Sequence, residues 1–432
     1  MDWSKLPDLI AVTLLACAFA SVALRSHAHV SALWLTGWVL IALHFAAFIF
    51  LPAPGVWGNL AAFAGLVSLA WAGELFRWAS VSFQRERSSL WMLTAFLGTS
   101  AIYIALLVFV TNAPWALNCV AALFGILPLS VTLISMRRFS HPLRWATVAL
   151  YGALSIYLLV FQNRGEEGGN LALNGLLFTI YLGCSISFLA SYRRATSGAL
   201  ITIGGFFAWA AVFVIAPILS AYVPSVHVES EAWNLPKYVV AVGLILLMLE
   251  DQIEHNKYLA LHDELTGLPN RRLFQDRLAS ALERARRMRT DAALLLVDLD
   301  GFKQVNDRLG HHVGDMLLQQ VSSIFVGRMR RSDTVARTGG DEFCLILEEP
   351  SGRGNAEQVA GSLMQLLEQP LKLGEHTVRI GASVGIAVFP EDADDAESLC
   401  IAADHRMYAG KQAGKEGDAK AASGLSESRL GA

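Results

Sequence analysis

Runs of about twenty apolar residues recur along the first part of the chain and constrain its fold more than any other feature. A helix that crosses a bilayer needs about 20 mostly apolar residues. Nine segments meet or approach that requirement, and they centre on Leu6–Leu24, Ala32–Leu51, Leu60–Val81, Leu90–Val110, Trp115–Ile134, Leu143–Phe161, Leu171–Tyr192, Ala199–Val223 and Tyr238–Leu249. Charged residues become frequent from Glu250 onward. We therefore expect a transmembrane sensory domain over 1–249 and a charge-rich domain after it.

The charges of the connecting loops predict an orientation. The loops after the first, third, fifth and seventh segments carry Arg25, Arg85, Arg87, Arg137, Arg138, Arg144, Arg193 and Arg194. The loops after the second and fourth segments have no basic residue, and those after the sixth and eighth contain acidic pairs. The positive-inside rule then places the amino terminus outside and the carboxy terminus in the cytoplasm. That orientation requires an odd number of spans, which favours nine over eight although the ninth segment is short.

A few polar residues lie inside the apolar segments. Glu74 and Arg77 are three positions apart, so they share a helix face and are able to pair. His44 lies in the second segment. Ionisable groups at this depth are costly and often functional, but packing between helices explains them equally well, and both interpretations stay open.

The segment 250–262 is expected to be a helical linker. Apolar and small residues follow a spacing of four and three through Val242, Leu246, Leu249, Ile253, Asn256 and Ala260. This spacing is typical of a coiled-coil seam, in which one polar residue sets the register. The pattern is shorter than three heptads, so a single amphipathic helix packed on the next domain is the alternative.

Net charge argues against one class of partner. The formal net charge is -3 at pH 7, which does not favour non-specific binding to nucleic acid. Five cysteines lie far apart and show neither metal-ligand spacing nor a disulfide framework.

The remainder of the chain places acidic residues at the end of a buried strand and in a tight turn. Ala292–Val297 is a continuous apolar run of strand length, and Asp298-Leu299-Asp300-Gly301-Phe302-Lys303 follows it. Two further strands, Thr334–Thr338 and Phe343–Leu347, flank Gly339-Gly340-Asp341-Glu342, which predicts a hairpin. Carboxylate oxygens suit Mg²⁺ and leave room for substrate phosphates. Taken alone, these residues indicate either a cation and phosphate site or solvated loops.

Other elements surround these strands. Helices are predicted near Leu273–Arg287, Gly314–Arg328, Ala356–Leu367 and Leu399–Ala413, with one more strand at Val378–Val388. Lys411 and Lys415, near the end of the last helix, are four positions apart and share a face. A disordered tail is expected over 418–432.

Five motifs in one order give a specific resemblance. The chain contains Asp-x-Leu-Thr-Gly-Leu-x-Asn-Arg at Asp263–Arg271, Asp-Leu-Asp-x-Phe-Lys at Asp298–Lys303, Gly-His-x-x-Gly-Asp at Gly310–Asp315, Gly-Gly-Asp-Glu-Phe at Gly339–Phe343, and a helix end with Met-Tyr-x-x-Lys before Lys415. In these motifs residues 263–417 resemble the GGDEF family of diguanylate cyclases. The resemblance implies an α+β fold, similar to nucleotide cyclase and polymerase palm domains, with a mostly antiparallel central sheet. Behind an all-α transmembrane domain, it would make the chain a multi-domain protein.

The resemblance also implies roles for single residues. The metal ligands would be Asp298, the Leu299 carbonyl, Asp341 and Glu342, and the cofactor would be Mg²⁺, with Mn²⁺ as an alternative. Asp341 would also act as general base, and Lys303 would stabilise charge on the phosphates. The nucleotide would contact Phe302 through its backbone, Asn306, His311 and Asp315 at guanine, and Lys411 and Lys415 at the terminal phosphates. Lys415 replaces an arginine common in the family, so the bidentate fork is lost.

The implied reaction joins two GTP into cyclic di-GMP and two pyrophosphates. One domain holds half of the site, so a homodimer is implied, attached to the bilayer of a bacterial inner membrane with the catalytic domain in the cytoplasm. Arg330-x-x-Asp333 lies at the position of the family's inhibitory product site. Two other functions stay open: a nucleotide-sensing module without catalysis, and a transporter or channel with a regulatory domain. The presence of Asp298, Lys303 and Asp341 argues against the first, and transport without GTP turnover would favour the second.

Overall fold

The chain divides into two compact units. The computed structural model describes residues 1–23, 29–80, 87–110, 113–135, 142–192, 195–223, 230–350 and 352–427. The first unit comprises Met1–Ile253 and the second Glu254–Ala432. The division falls close to Glu250, where charged residues become frequent.

Helices form the whole of the first unit within the described ranges. After a 3₁₀ turn at Trp3–Lys5 they are α1 (Leu6–Ala23), α2 (His29–Ile49), α3 (Val56–Ser80), α4 (Arg87–Phe109), α5 (Pro114–Ser135), α6 (Pro142–Phe161), α7 (Gly165–Ser191), α8 (Ser197–Tyr222) and α9 (Ser230–Leu261). Among the described residues, 9 helices are long and apolar enough to cross a membrane. Most of the basic loop residues behind the predicted orientation lie outside those residues, so the orientation stays a prediction: Arg25, Arg85, Arg137, Arg138, Arg193 and Arg194.

The last of these helices is longer than the ninth predicted segment. α9 begins at Ser230, contains Pro236 and continues through Glu250 to Leu261, whereas the apolar run is only Tyr238–Leu249. Proline is tolerated in spanning helices because neighbouring groups satisfy the backbone atoms that it frees. Three residues of the predicted seam, Val242, Leu249 and Ile253, are 50%, 39% and 53% exposed. The seam therefore lies on an uncovered face of α9 within this chain.

Aromatic side chains and glycines pack the helices of the first unit. Tyr181 stacks on Trp209 with ring centroids 4.1 Å apart. A Cβ added at Gly73 would lie 2.4 Å from the Ile180 Cγ2 atom, so α3 and α7 approach closely only because Gly73 has no side chain. Small residues at such crossings are usual in membrane bundles, where close van der Waals packing drives association.

The predicted pairing of Glu74 and Arg77 is confirmed. The Arg77 Nη2 atom lies 2.7 Å from the Glu74 Oε2 atom, and the two side chains are 11% and 2% exposed. The Tyr151 hydroxyl donates a hydrogen bond to the other Glu74 oxygen. The His44 Nδ1 atom lies 2.9 Å from the Gly65 carbonyl oxygen, so this ring bonds to the neighbouring helix. These contacts explain how polar groups are accommodated in an apolar bundle.

The second unit is built on a four-stranded sheet in the order β2-β3-β1-β6. Its strands are β1 (Ala292–Asp300), β2 (Thr334–Gly339), β3 (Glu342–Glu348) and β6 (Gly381–Phe389), and a separate pair is formed by β4 (Leu371–Leu373) and β5 (His376–Val378). All strand pairs in the described residues are antiparallel, which confirms the predicted fold class. The helices are α10 (Arg271–Met288), α11 (Phe302–Leu309), α12 (His311–Arg328), α13 (Arg353–Leu367) and α14 (Ala396–Glu427).

Helices cover both faces of the sheet, which explains the unbroken apolar run of β1. Leu295 and Val297 pack in one core with α12 and α13. Ala292 and Leu294 pack in a second core with α10 and α14. Since successive side chains of a strand alternate in direction, Asp298 leaves β1 on the α14 face of the sheet.

Two predictions about the second unit differ from the structure in detail, and one helix was not predicted. The single strand predicted at Val378–Val388 is two strands, because β5 pairs with β4 and β6 pairs with β1. Phe302–Leu309, left without an element, is the helix α11. The helix α14 continues through residues 418–427 of the segment expected to be disordered, a stretch with several alanines, which favour helix.

Candidate active site

Two acidic segments meet at one edge of the sheet, where β1 ends and β3 begins. Asp298 lies opposite Glu342 of β3 and opposite Ser383 of β6. The Leu299 backbone N–H donates to the Asp341 carbonyl oxygen at 3.2 Å. Asp341 therefore lies in the hairpin turn directly beside the end of β1, as the sequence predicts.

Glycines in left-handed conformations shape the two turns. Gly301 has φ +79° and Gly340 has φ +39°, a region that side chains disfavour. Gly301 turns the chain from β1 directly into α11, so Phe302 and Lys303 lie in the first turn of that helix. The first N–H groups of a helix have no partner in the helix and attract phosphate groups. The half-buried Phe302 packs against the core, and the Lys303 side chain is exposed.

An ammonium group lies against the carboxylates. The Lys411 Nζ atom of α14 is 2.5 Å from the Asp298 Oδ1 atom, with both side chains largely buried. Burial opposes the charge of Lys411, but the hydrogen bond to Asp298 and the charges of Asp298, Asp300 and Asp341 outweigh it and raise the pKa of Lys411. The carboxylates at this edge of the sheet therefore stabilise the positive charge of Lys411. Lys415 also lies on α14, but its side chain is outside the described residues.

The donor set fits a hard divalent cation. Asp298 and Asp341 supply carboxylates, and the strand end supplies the Leu299 carbonyl. Glu342 is nearly half exposed, and its Oε2 atom lies 3.9 Å from the Arg271 Nη2 atom. In the described part of the chain no group of three or more His, Cys, Asp or Glu side chains forms a metal site by itself. Mg²⁺ commonly uses one or two carboxylates together with substrate phosphates and water, so two carboxylates suffice.

The predicted guanine contacts cluster on two consecutive helices. Asn306 is on α11, and both His311 and Asp315 are exposed on the first turns of α12. His311 and Asp315 are four positions apart and share a face. The Asn306 Oδ1 atom is buried without a hydrogen-bond partner in the described residues. A buried acceptor without a donor is costly, so the position of this amide is an unusual feature of the domain.

The predicted inhibitory pair lies at a separate place, at the start of β2. The Asp333 Oδ2 atom accepts a hydrogen bond from the Arg330 backbone N–H at 2.9 Å. Both residues line a cavity of about 290 Å³, together with Arg328 and with Asn355 and Gln358 of α13. The Arg330 side chain is exposed, so a guanidinium is available at the mouth of this cavity.

Arg337 is a site residue that the sequence analysis missed. Its Nε and Nη2 atoms donate to the Gly340 carbonyl oxygen at 3.0 and 2.7 Å. Its Nη1 atom donates to the Asp263 Oδ1 atom at 2.8 Å, and that oxygen also accepts from the Thr266 backbone and hydroxyl. Burial opposes the charge of Asp263, but the hydrogen bonds from Thr266 and Arg337 lower its pKa. The arginine thus ties the turn that carries Asp341 to the opening motif of the domain.

Comparisons with known proteins agree with this architecture. Residues 260–417 match the family described as diguanylate cyclase, GGDEF domain. The bifunctional diguanylate cyclase/cyclic di-GMP phosphodiesterase MucR of Pseudomonas aeruginosa is 42% identical over 196 residues, which is 41% of this chain and 28% of MucR. The diguanylate cyclase TpbB of the same species is 39% identical over 165 residues, 38% of each chain. The chain thus spans well under half the length of these two curated relatives.

Two solved structures of GGDEF domains are among those similar to this chain. The GGDEF domain of TpbB from Pseudomonas aeruginosa is 41% identical, covers 35% of this chain and 88% of that one, and has a TM-score of 0.34. The coiled coil and GGDEF domain of DgcB from Caulobacter crescentus, in complex with cyclic di-GMP, is 26% identical, covers 42% and 96%, and has a TM-score of 0.39. From the fold, the motifs and the family match together, residues 260–417 are a GGDEF domain. This domain follows a helical region with 9 apolar helices among its described residues.

Proposed function

We propose that this chain is a membrane-bound diguanylate cyclase that condenses two GTP into cyclic di-GMP and two pyrophosphates. The observation that carries the proposal is the meeting of Asp298 and Asp341 at one edge of the sheet, beside the first turn of α11 and the ammonium of Lys411. Nucleotidyl transfer needs positioning and neutralisation of phosphate charge more than it needs covalent chemistry. This edge of the sheet supplies both.

The reaction assigns a role to each part of the site. The 3′-hydroxyl oxygen of one GTP attacks the α-phosphorus of the other, the bond from that phosphorus to the bridging oxygen breaks, and pyrophosphate leaves. Asp341 takes the proton of the attacking hydroxyl. Lys303, Lys411 and Lys415 neutralise phosphate charge, and the backbone N–H of Phe302 binds a phosphate oxygen. The transfer occurs twice for each molecule of cyclic di-GMP.

Four groups would hold the divalent cation: Asp298, the Leu299 carbonyl, Asp341 and Glu342. Mg²⁺, or Mn²⁺ in its place, would lower the pKa of the attacking hydroxyl and neutralise phosphate charge. Asn306, His311 and Asp315 bind the guanine base, because their amide, imidazole and carboxylate groups complement its polar edge.

A second copy of the chain completes the reaction. One domain binds one GTP, and the hydroxyl of each GTP must reach the other's α-phosphate, so the active form is a homodimer. The uncovered face of α9 with Val242, Leu249 and Ile253 supports this arrangement, since apolar residues at heptad spacing pair with a like helix. In this proposal the apolar helices span the inner membrane of a bacterium, and the cyclase domain lies in the cytoplasm.

The proposal is tested by measuring cyclic di-GMP. The full chain, purified in detergent with GTP and Mg²⁺, should form the product, and Asp341→Ala should abolish it because a metal ligand and the base are lost together. Asp276→Ala, which removes an exposed carboxylate from α10, is the matched control and should keep the wild-type rate. Near-normal turnover in Asp341→Ala would refute the assignment.

Product inhibition is the regulatory part of the proposal. Arg330 and Asp333 line the 290 Å³ cavity away from Asp341, where a guanidinium can bind phosphate or the guanine edge and a carboxylate can accept from guanine N–H groups. Cyclic di-GMP bound there would inhibit allosterically.

Inhibition should therefore be non-competitive with GTP and relieved in Arg330→Ala, with the basal rate unchanged. Arg331→Ala, at the exposed neighbouring position, should remain inhibited. Equal calorimetric affinity for cyclic di-GMP in wild type and Arg330→Ala would remove this site from the proposal and leave the cyclase assignment in place.

A further inference from the structure

Gly314 of α12 faces the Asn306 side chain so closely that any larger residue at 314 would force that side chain to move. A Cβ added to Gly314 would lie 1.9 Å from the Asn306 Oδ1 atom, 2.9 Å from Cγ and 3.4 Å from Nδ2. These three atoms are the nearest neighbours of that Cβ, and all belong to Asn306. A flip of the amide would place Nδ2 at the closest position, and the clash would remain. The Asn306 amide therefore occupies the space that a side chain at 314 would fill.

Glycine at position 314 makes the helix less stable than alanine would, so helix formation does not explain why glycine is present there. Gly314 lies in the second turn of a regular helix, where glycine is about 0.5–1 kcal/mol less favourable than alanine. Gly327, near the other end of α12, has no atom within 4 Å of its added Cβ, so alanine would fit there. The two glycines of this helix therefore differ in the space around them: Asn306 fills it at Gly314, whereas it is open at Gly327.

The backbone around Asn306 restricts how the clash could be relieved. The Asn306 carbonyl oxygen accepts the Gly310 backbone N–H at 2.9 Å, which fixes the connection between α11 and α12. Gly314 itself is buried. An alanine at 314 would therefore displace the flexible Asn306 side chain sooner than either helix.

We propose that Gly314 is a positioning residue for base recognition, which holds the Asn306 amide in the orientation that reads guanine by leaving space for it. The proposal rests on the proposed function, in which Asn306 contacts the base of GTP. The Asn306 Oδ1 atom is buried against Gly314, which fixes the plane of the amide group. Gly314 acts only through Asn306 and touches no part of the nucleotide.

A double-mutant cycle on nucleotide binding tests this. The full chain in detergent is titrated by calorimetry with an α,β-methylene analogue of GTP, which cannot be cleaved, in the presence of Mg²⁺. Gly314→Ala and Asn306→Ala should each weaken binding about tenfold, the order expected for a lost hydrogen bond that leaves a polar group unpaired. Because both changes remove one interaction, the double variant should bind no more weakly than Asn306→Ala alone.

Two controls separate positioning from damage to the fold. Gly327→Ala, the same substitution in the same helix, should bind the analogue as wild type does. The matching adenine analogue, which lacks the guanine pattern of donors, should bind Gly314→Ala and wild type equally, because the phosphate contacts are untouched.

Additive losses in the double variant, wild-type affinity in Gly314→Ala, or an equal loss for the adenine analogue would each overturn the proposal. The binding measurements test the proposal about Gly314 even if the chain forms no cyclic di-GMP. In that case the cyclase assignment fails, while the double-mutant cycle still shows whether Gly314 positions Asn306.

Discussion

Replacement of Arg337 tests whether catalysis requires the hydrogen bonds that its side chain makes to the hairpin turn carrying Asp341. The guanidinium makes three hydrogen bonds, two to the Gly340 carbonyl and one to the Asp263 carboxylate. Gly340 immediately precedes Asp341, so these bonds restrain the residue proposed as base and metal ligand. Arg337→Ala removes all three and leaves Asp263 with its two bonds from Thr266.

The magnitude follows from the burial of the pair. The Arg337 and Asp263 side chains are 12% and 25% exposed. Removing one partner of a fully buried ion pair costs roughly 3–5 kcal/mol, and exposed pairs contribute about 0–1 kcal/mol, so we expect about 2 kcal/mol here. The effect on activity should be larger than the effect on stability. A displacement of about 1 Å at a reacting group can lower the rate roughly 100-fold.

Cyclic di-GMP formation by the full chain in detergent is the assay, with kcat and KM for GTP measured separately. We expect kcat to fall roughly 100-fold in Arg337→Ala with a small change in KM, because the turn and not the base pocket is disturbed. Arg337→Lys should be intermediate, since an ammonium keeps the charge but cannot bridge two acceptors in a fixed plane. Arg287→Ala, at an exposed position of α10, should match wild type. A kcat within about threefold of wild type in Arg337→Ala would refute the view that this residue positions the turn.

Three further predictions concern other parts of the chain. The pKa of Asp263 is lowered in the folded domain, so its stabilising contribution is complete above its unfolded pKa near 3.8 and is lost as the pH falls through the lower folded value; the difference in melting temperature between wild type and Asp263→Asn should be constant well above pH 3.8 and should shrink as the pH falls below 3.8 toward the folded pKa. Tyr151→Phe should destabilise the detergent-solubilised chain by about 1 kcal/mol, read as a lower melting temperature, whereas Tyr222→Phe, at an 82% exposed position, should not. A reporter that works only in the cytoplasm should be active when fused after Ala432 and inactive after Pro54, and activity after Pro54 would reverse the predicted orientation.

The elements that were predicted from the sequence are those whose signal is local. The apolar run of β1 indicates a strand covered on both sides, and the glycines of the Gly339–Glu342 turn indicate a hairpin between two apolar strands. The carboxylates at these two places could be named as candidates, but acidic residues are common in turns, so each position alone is equally compatible with a solvated loop. The family resemblance implied that they meet, because it assigns both to one metal site, but the β3-β1 pairing that brings them together was not predicted and is not given by local pattern alone.

The features that were missed depend on partners in other helices and strands. The break between β5 and β6 follows from the pairing of β5 with β4 and of β6 with β1, and neither choice is visible in the apolar run itself. Arg337 resembles any polar residue of an edge strand until the fold brings Asp263 to it across 74 positions. Gly314 likewise has meaning only beside Asn306. In each case the role of the residue or strand depends on a partner in another element of the fold.

The length of α9 shows a different limit of sequence patterns. The charge of Glu250 marks the end of an apolar run, and composition alone therefore ends the segment there. In the structure the Glu250 Oε1 atom accepts the Gly198 backbone N–H at 3.1 Å, at the start of α8. A carboxylate at a helix amino terminus satisfies a free donor and interacts favourably with the helix dipole. The backbone hydrogen bonds of α9 do not depend on side-chain polarity, so the helix continues past Glu250 to Leu261. Composition locates the end of the apolar segment, whereas the end of the helix depends on the next capping residue or turn.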